Sequence, residues 1–304
     1  MKSEAVTRGL AALVAPDAQL ELLAGGLGFA EGPTWNVADD CLLFSDIPGN
    51  TRYRWTAGIG VEVDLRGTNL ANGLAFDNDG GLIACEHATS MVVRYASGSR
   101  SVLASHFGLL ELNSPNDVVI HSGGALYFTD PPYGRGDTSH GVHRAQELGF
   151  QGVFRLVRAV PDAMPQLLAD DFAKPNGLCF DLDESVLYVN DTERMHIRRF
   201  VVREDGSLAG GQVFFVQDGD PALGCPDGMK LDELGNIWVC GPGGVWVVDA
   251  QGEKLGTIAV PELAANLVFG GADRRSLFIT ATTGLYRIRT LVAGAHPRPS
   301  RDLL

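Results

Sequence analysis

No stretch of this chain approaches 18 consecutive apolar residues, which excludes a membrane-spanning helix. Basic residues are few beside acidic ones, 24 Lys and Arg against 37 Asp and Glu. The resulting net charge of −13 argues against nucleic acid or an anionic membrane as a partner. Cysteine is sparse and odd in number, five in all, with no CxxC or Cys/His pairing of the kind that holds zinc. Cys41, Cys85, Cys179 and Cys240 fall inside apolar runs and read as buried free thiols, not disulfides. There is no GxSxG, which counts against a serine esterase of the α/β-hydrolase type. The opening residues lack the charged-then-apolar layout of a leader, so a cytoplasmic protein is expected. The short apolar stretch from Leu10 to Ala15 reads as a short N-terminal helix, and no helical period runs for long elsewhere.

What the chain has in abundance is one pattern that returns six times. The copies are EGPTWNVADDCLLFSD from Glu31, NGLAFDNDGGLIACEH from Asn72, NDVVIHSGGALYFTD from Asn116, NGLCFDLDESVLYVND from Asn176, DGMKLDELGNIWVCG from Asp227 and NLVFGGADRRSLFIT from Asn266. Each is an oxygen-bearing head, a short apolar run, a turn rich in Asp, Asn and Gly, and a second apolar run, which is strand, tight turn, strand. The heads lie 41, 44, 60, 51 and 39 residues apart, the period of a propeller blade. Further short strands begin at Met91, Ser101, Gly152, Ile197 and Gly244, giving about four antiparallel strands per unit. Hydrophobic content of 45% is ample for the core. The expectation is an all-β fold: one six-bladed β-propeller domain over 1–304, with residues 1–18 as an N-terminal extension. Residues 19–23 (QLELL) are the expected outer strand that locks the last blade to the first. Trp35, Trp55, Trp238 and Trp246 fall in or beside strands and read as core.

The first strand of each blade lines the axis of a propeller, so equivalent positions lie at one height. Glu31, Asn72, Asn116, Asn176, Asp227 and Asn266 would therefore face one another as a ring of oxygens at one end of the channel. Asn and Asp before Gly are also ordinary turn residues, but six aligned heads with two acids point to a site. Two carboxylates and several amide carbonyls suit a hard divalent cation such as Ca²⁺ or Mg²⁺, and two facing buried carboxylates would be costly without one.

The segments FAEGPTW (29–35), ANGLAFD (71–77), SPNDVV (114–119), LYFTDPPYG (126–134), KPNGLCFD (174–181), LYVNDT (187–192) and CPDGMKLDELGNIWV (225–239) carry a resemblance. In order and at blade spacing they resemble the gluconolactonase, regucalcin (senescence marker protein) and luciferin-regenerating enzyme family, over roughly residues 20–292. The LYFTDPPYG and CEH stretches look most like its bacterial gluconolactonase branch. The resemblance implies one divalent metal, usually calcium and sometimes zinc, magnesium or manganese. It implies ligation by Glu31, Asn176 and Asp227, with Asn116 bound directly or through water. It also implies that Asp117 contacts substrate or orients its loop. Asn72 is assigned to the substrate side, and Asn266, which no Gly follows, departs from the pattern and is set aside.

The chemistry expected of such a site is hydrolysis of a cyclic ester, glucono-1,5-lactone being the type. The metal would polarise the carbonyl and Asp227 would act as general base toward water. A phosphotriester or non-sugar lactone hydrolase, and a non-catalytic calcium-binding propeller, are the alternatives. The partner implied is a small-molecule lactone; oligomeric state is left open. Strand direction puts the ends of the second strands on the metal side, so Asp46, Glu86, His87, Asp130, Asn190 and Asp191 are expected near the mouth, with His87 as a substrate contact or proton carrier. The long insertion 131–152 is expected to lie over that mouth as a partial lid, where Arg135, His140, His143 and Arg144 could reach a polyhydroxylated substrate, although solvated surface is the commoner fate of such residues.

Overall fold

Each Asp-rich turn of the repeat folds because its side chain satisfies the backbone that follows. Asp77 Oδ1 accepts from the N–H groups of Asp79 and Gly81, and Asp232 Oδ1 from those of Leu234 and Asn236. The flanking apolar runs then pair as antiparallel hairpins. In the computed structural model, which describes residues 9–136 and 139–295, six four-stranded antiparallel sheets form the blades of a six-bladed β-propeller.

Blade one is Ala30–Asn36, Cys41–Asp46, Thr51–Thr56 and Gly60–Arg66; blade two is Ala71–Phe76, Leu82–Glu86, Met91–Ala96 and Ser99–Ala104. Blade three is Val118–Ile120, Leu126–Asp130, Gln151–Leu156 and Gln166–Phe172, preceded by a small ribbon of His106–Phe107 and Leu110–Glu111. Blade four is Pro175–Phe180, Val186–Asp191, His196–Val202 and Leu208–Val216, and blade five is Met229–Leu231, Ile237–Gly241, Gly244–Val248 and Lys254–Ala259. Blade six takes three strands from the end of the chain, Ala264–Gly270, Ser276–Ala281 and Gly284–Arg289, and its fourth, Glu21–Ala24, from the beginning. Glu21 pairs with Arg287 in that last ladder, and their side chains meet at 2.6 Å. The expected closure through residues 19–23 is thus realised one or two residues further along.

Apolar side chains fill the wedges between neighbouring blades. The expected N-terminal helix is, among the described residues, a single 3₁₀ turn at Leu10–Ala12. Leu10, Leu13 and Val14 bury themselves beside Trp238, Val245 and Leu277, under blades five and six. Trp55, Trp238 and Trp246 are buried core residues, and Trp35 stacks on Phe278 with centroids 5.4 Å apart. Cys41, Cys85, Cys179 and Cys240 are buried free thiols, as expected. No helix of the described residues is long and apolar enough to cross a membrane.

Candidate metal centre at one end of the channel

The head residues stand where each chain segment enters its innermost strand. What lets four of them crowd around the axis is the glycine that follows, Gly32, Gly73, Gly177 and Gly228. A Cβ on Gly32 would fall 1.9 Å from the Asn72 carbonyl oxygen of the next blade, and one on Gly177 would fall 2.2 Å from that of Asp227. No side chain fits at either place, so the Gly of these motifs is there for close approach of backbones. The second strands then fix the neighbouring heads. Ser45 Oγ donates to the Asn72 carbonyl at 2.8 Å, Thr129 Oγ1 to that of Asn176 at 2.8 Å, and Asn190 Nδ2 to that of Asp227 at 2.5 Å.

These anchors leave three carboxylates acting on one another in the channel. Glu31 Oε2 accepts from the Gly32 N–H at 2.5 Å and from Asn266 Nδ2 at 3.0 Å. Asp117 Oδ1 accepts from the Val118 N–H, whereas its Oδ2 is buried with no partner. Asp227 Oδ1 is also buried and unpartnered. Burial, then the charges of Glu31 and Asp117, hold the Asp227 carboxyl well above the ordinary range. Glu31 is pushed up to about 7, first by burial and then by Asp117, against the bonds from Gly32 and Asn266. Asp117 is raised by burial, and the Lys230 ammonium opposes this. Lys230 is the one charged residue at the fourth position of the six repeats, where the others carry Thr34, Ala75, Val119, Cys179 and Phe269. Those six positions line a cavity of about 860 Å³ at the opposite end of the channel, so the inner strands do run away from the ring.

The donor set fits a divalent cation. Orphaned buried oxygens on Asp227, Asp117 and Asn72 are the groups a hard cation and its waters would satisfy. Three carboxylates beside one lysine leave two negative charges when all are ionised, the complement of a dication. Among the described residues no three His, Cys, Asp or Glu side chains converge as a cage, so amide oxygens would have to supply much of the shell.

At the mouth, His87 Nδ1 lies 2.9 Å from the carbonyl of His140 and Nε2 lies 3.5 Å from Asn72 Nδ2. Burial depresses the His87 pKa to about 4, so the ring is neutral near pH 7. With its Nδ1 proton donated to His140, Nε2 is left as an acceptor facing Asn72. The insertion does reach this side: His140 packs edge-on to Phe29 at 4.8 Å, and Gly134 sits against His87 and Ser114.

Two insertion residues differ from the expectation. The buried Arg135 guanidinium is consumed by the carbonyls of Asn113, Leu112 and Ala145 and by Glu111. Arg144 bonds Ser90 Oγ and the His87 carbonyl. Both tie the insertion down instead of offering donors to a ligand. His143 is exposed. The acids ending the second strands are likewise structural anchors. Asp46 accepts from the N–H groups of Gly28, Phe29 and Gly49, Asp191 from those of Ala173 and Lys174, Asp130 from that of Asn113, and Glu86 binds Arg100. Asn266, set aside on sequence, touches Glu31 directly. Its alignment with the other five heads was the available signal, and the missing Gly obscured it. Sequence reasoning missed Lys230 and Tyr133; for Lys230 the available signal was a lone basic residue at the fourth position of the repeats.

Fold and site together define a six-bladed β-propeller with an oxygen-lined ring at one end of its channel. Residues 29–283 match the model of the SMP-30/Gluconolactonase/LRE-like region, and the chain belongs to that family. It is 31% identical over 300 residues to a gluconolactonase of Zymomonas mobilis, covering 90% of this chain and 82% of that one. A solved gluconolactonase structure from Xanthomonas campestris superposes with a TM-score of 0.86 at 34% identity, covering 93% of each chain. A calcium-binding regucalcin of Agrobacterium tumefaciens shares the fold, with a TM-score of 0.75 at 20% identity over 92% of this chain and 96% of that one.

Proposed function

We propose that this chain is a lactone hydrolase that opens a sugar lactone of the glucono-1,5-lactone kind to the aldonic acid. The observation that carries the reading is the buried, unpartnered Oδ1 of Asp227 in a ring it shares with Glu31 and Asp117. Glu31, Asn116, Asn176 and Asp227 would hold a divalent cation, with Ca²⁺ matching the all-oxygen donors best and Mg²⁺, Mn²⁺ or Zn²⁺ as substitutes. Bound there, the cation supplies Lewis acidity toward a carbonyl oxygen. Asp227 takes the proton from the attacking water as general base. Water adds to the carbonyl carbon, the ring C–O bond breaks, and the former ring oxygen leaves as a hydroxyl. Asn72 Oδ1 and His87 Nε2 accept from substrate hydroxyls, and Asp117 holds the floor of the ring in place.

The polar lining of the mouth supports a sugar over a phosphotriester or a non-sugar lactone, which would favour apolar walls. The deciding experiment is hydrolysis of D-glucono-1,5-lactone, corrected for spontaneous opening, by chelator-stripped protein, by protein restored with single dications, and by a metal-loaded Asp227→Ala variant. Turnover should vanish on stripping, return with one ion, and be absent in the variant. No turnover despite measured metal binding would favour the non-catalytic calcium-binding propeller.

A further inference from the structure

The hydroxyl of Tyr133 is buried at the metal-side mouth and meets no partner in hydrogen-bonding geometry. Asn176 and Thr192 stand beside it, and the Asp227 carboxylate is near enough to act on it. Thr192 is already engaged, since its hydroxyl donates to the Pro226 carbonyl at 2.7 Å and accepts from Asn176 Nδ2 at 3.1 Å. Leaving a buried hydroxyl unpaired is unfavourable, so a position that keeps one in place calls for a reason.

The position is rigidly held. Tyr133 opens the 3₁₀ turn Tyr133–Arg135. Next in the turn, the Gly134 N–H donates to Ser114 Oγ at 2.8 Å, and that hydroxyl donates to the Pro131 carbonyl at 2.6 Å. Arg135 Nε donates to the Asn113 carbonyl at 2.6 Å. A Cβ on Gly134 would fall 2.6 Å from that of His87, so the turn is pressed onto the wall of the mouth. The anchoring contacts belong to Pro131 before Tyr133 and to Gly134 and Arg135 after it, and its own hydroxyl is left without a partner beside two of the ring residues.

We propose that Tyr133 is a catalytic residue whose hydroxyl donates a hydrogen bond to the lactone carbonyl oxygen as negative charge develops on it, and to the matching carboxylate oxygen of the aldonate product. This rests on the lactonase reading above. The proton stays on the phenol throughout; no bond to it breaks. Burial pushes the phenol's pKa up, which favours the protonated, hydrogen-bond-donating form. A preorganised donor of this kind is worth most where charge appears only in the transition state.

The test is Tyr133→Phe in the full, metal-loaded chain, with kcat and KM for gluconolactone, gluconate affinity by calorimetry, metal affinity and Tm all measured. The expected result is a kcat lower by about 100-fold, KM little changed and gluconate bound at least about fivefold more weakly, with metal affinity and Tm as in the parent. A kcat within about twofold of the parent with equal gluconate affinity would overturn the proposal. So would a kcat loss matched by an equal loss of metal affinity, which would make the phenol a support of the ring. If the parent opens no lactone, the lactonase reading falls by itself. The gluconate titration then still decides on Tyr133: equal binding by parent and variant, or binding by neither, overturns its role.

Discussion

Asn266 Nδ2 donates to Glu31 Oε2 at 3.0 Å, across the channel seam between the last blade and the first and over a sequence separation of 235 residues. The Asn266 oxygen is held by the Leu267 N–H at 2.9 Å, so the amide is fixed with its NH₂ toward the carboxylate. Outer partners that orient a metal-binding carboxylate typically contribute 10–100-fold in affinity. Asn266→Ala should therefore weaken dication binding by about tenfold, while Asn266→Asp should weaken it less or strengthen it by adding charge. Calorimetric titration with Ca²⁺ reads both. Unchanged affinity in the alanine variant would mean that Glu31 is positioned by Gly32 alone.

Lys230 sets a second expectation. Its ammonium opposes the negative ring from the far end of the channel, and it acts on both Glu31 and Asp117. Removing one positive charge within a low-dielectric channel favours a dication by several-fold to tenfold or more, by Coulomb's law at an effective dielectric constant of about 20. Lys230→Gln should raise metal affinity, and the gain should persist at higher salt because the channel is shielded from screening. A variant that binds the ion no better would place Lys230 outside the site's electrostatics.

The carboxyl shifts give the metal-free protein a pH dependence of definite sign. Glu31 has a folded pKa of about 7, above its ordinary 4.5, and Asp227 is shifted in the same direction. A raised carboxyl pKa contributes stability that is present below the unfolded value and is lost as pH rises through the folded value. Chelator-stripped protein should therefore lose Tm between about pH 4.5 and pH 7 from this source, and added Ca²⁺ should restore more stability at pH 8 than at pH 5. Thermal scans with and without metal across that range check it. A stabilisation by Ca²⁺ that is larger at pH 5 would contradict the assignment.

Gly177 tests the packing of the ring without touching a ligand side chain. A Cβ there would sit 2.2 Å from the Asp227 carbonyl oxygen and 3.0 Å from the Gly228 Cα, and backbone cannot swing aside as a side chain can. Gly177→Ala should destabilise the fold by about 2 kcal/mol or more and displace Asp227, so that metal affinity falls with stability. Urea denaturation and metal titration would show the two losses together. A stable variant with normal metal affinity would mean the inner strands have slack that the structure does not suggest.

The blades, their number and the ring were legible in the sequence because they follow from local rules repeated at a fixed period. An oxygen-bearing head, an apolar run and an Asp/Gly turn specify a hairpin wherever they occur, and six such units have one way to close. Strand direction, the closing N-terminal strand and the mouth-side position of the insertion followed from the same periodicity. What the side chains at the mouth do was not legible. Arg135, Asp46 and Asp191 look like ligands in one dimension and are anchors in three, because the nearest satisfying partners are carbonyls and N–H groups of loops brought in by the fold. Asn266 and Tyr133 show the reverse. One looked irregular and lies against Glu31; the other looked like part of a turn and keeps an unpartnered hydroxyl beside Asn176 and Asp227. Periodicity is a property of the chain, so sequence alone determined the architecture. Which polar atoms are spent and which are left over depends on distances between segments far apart in sequence, so only the tertiary structure decided that.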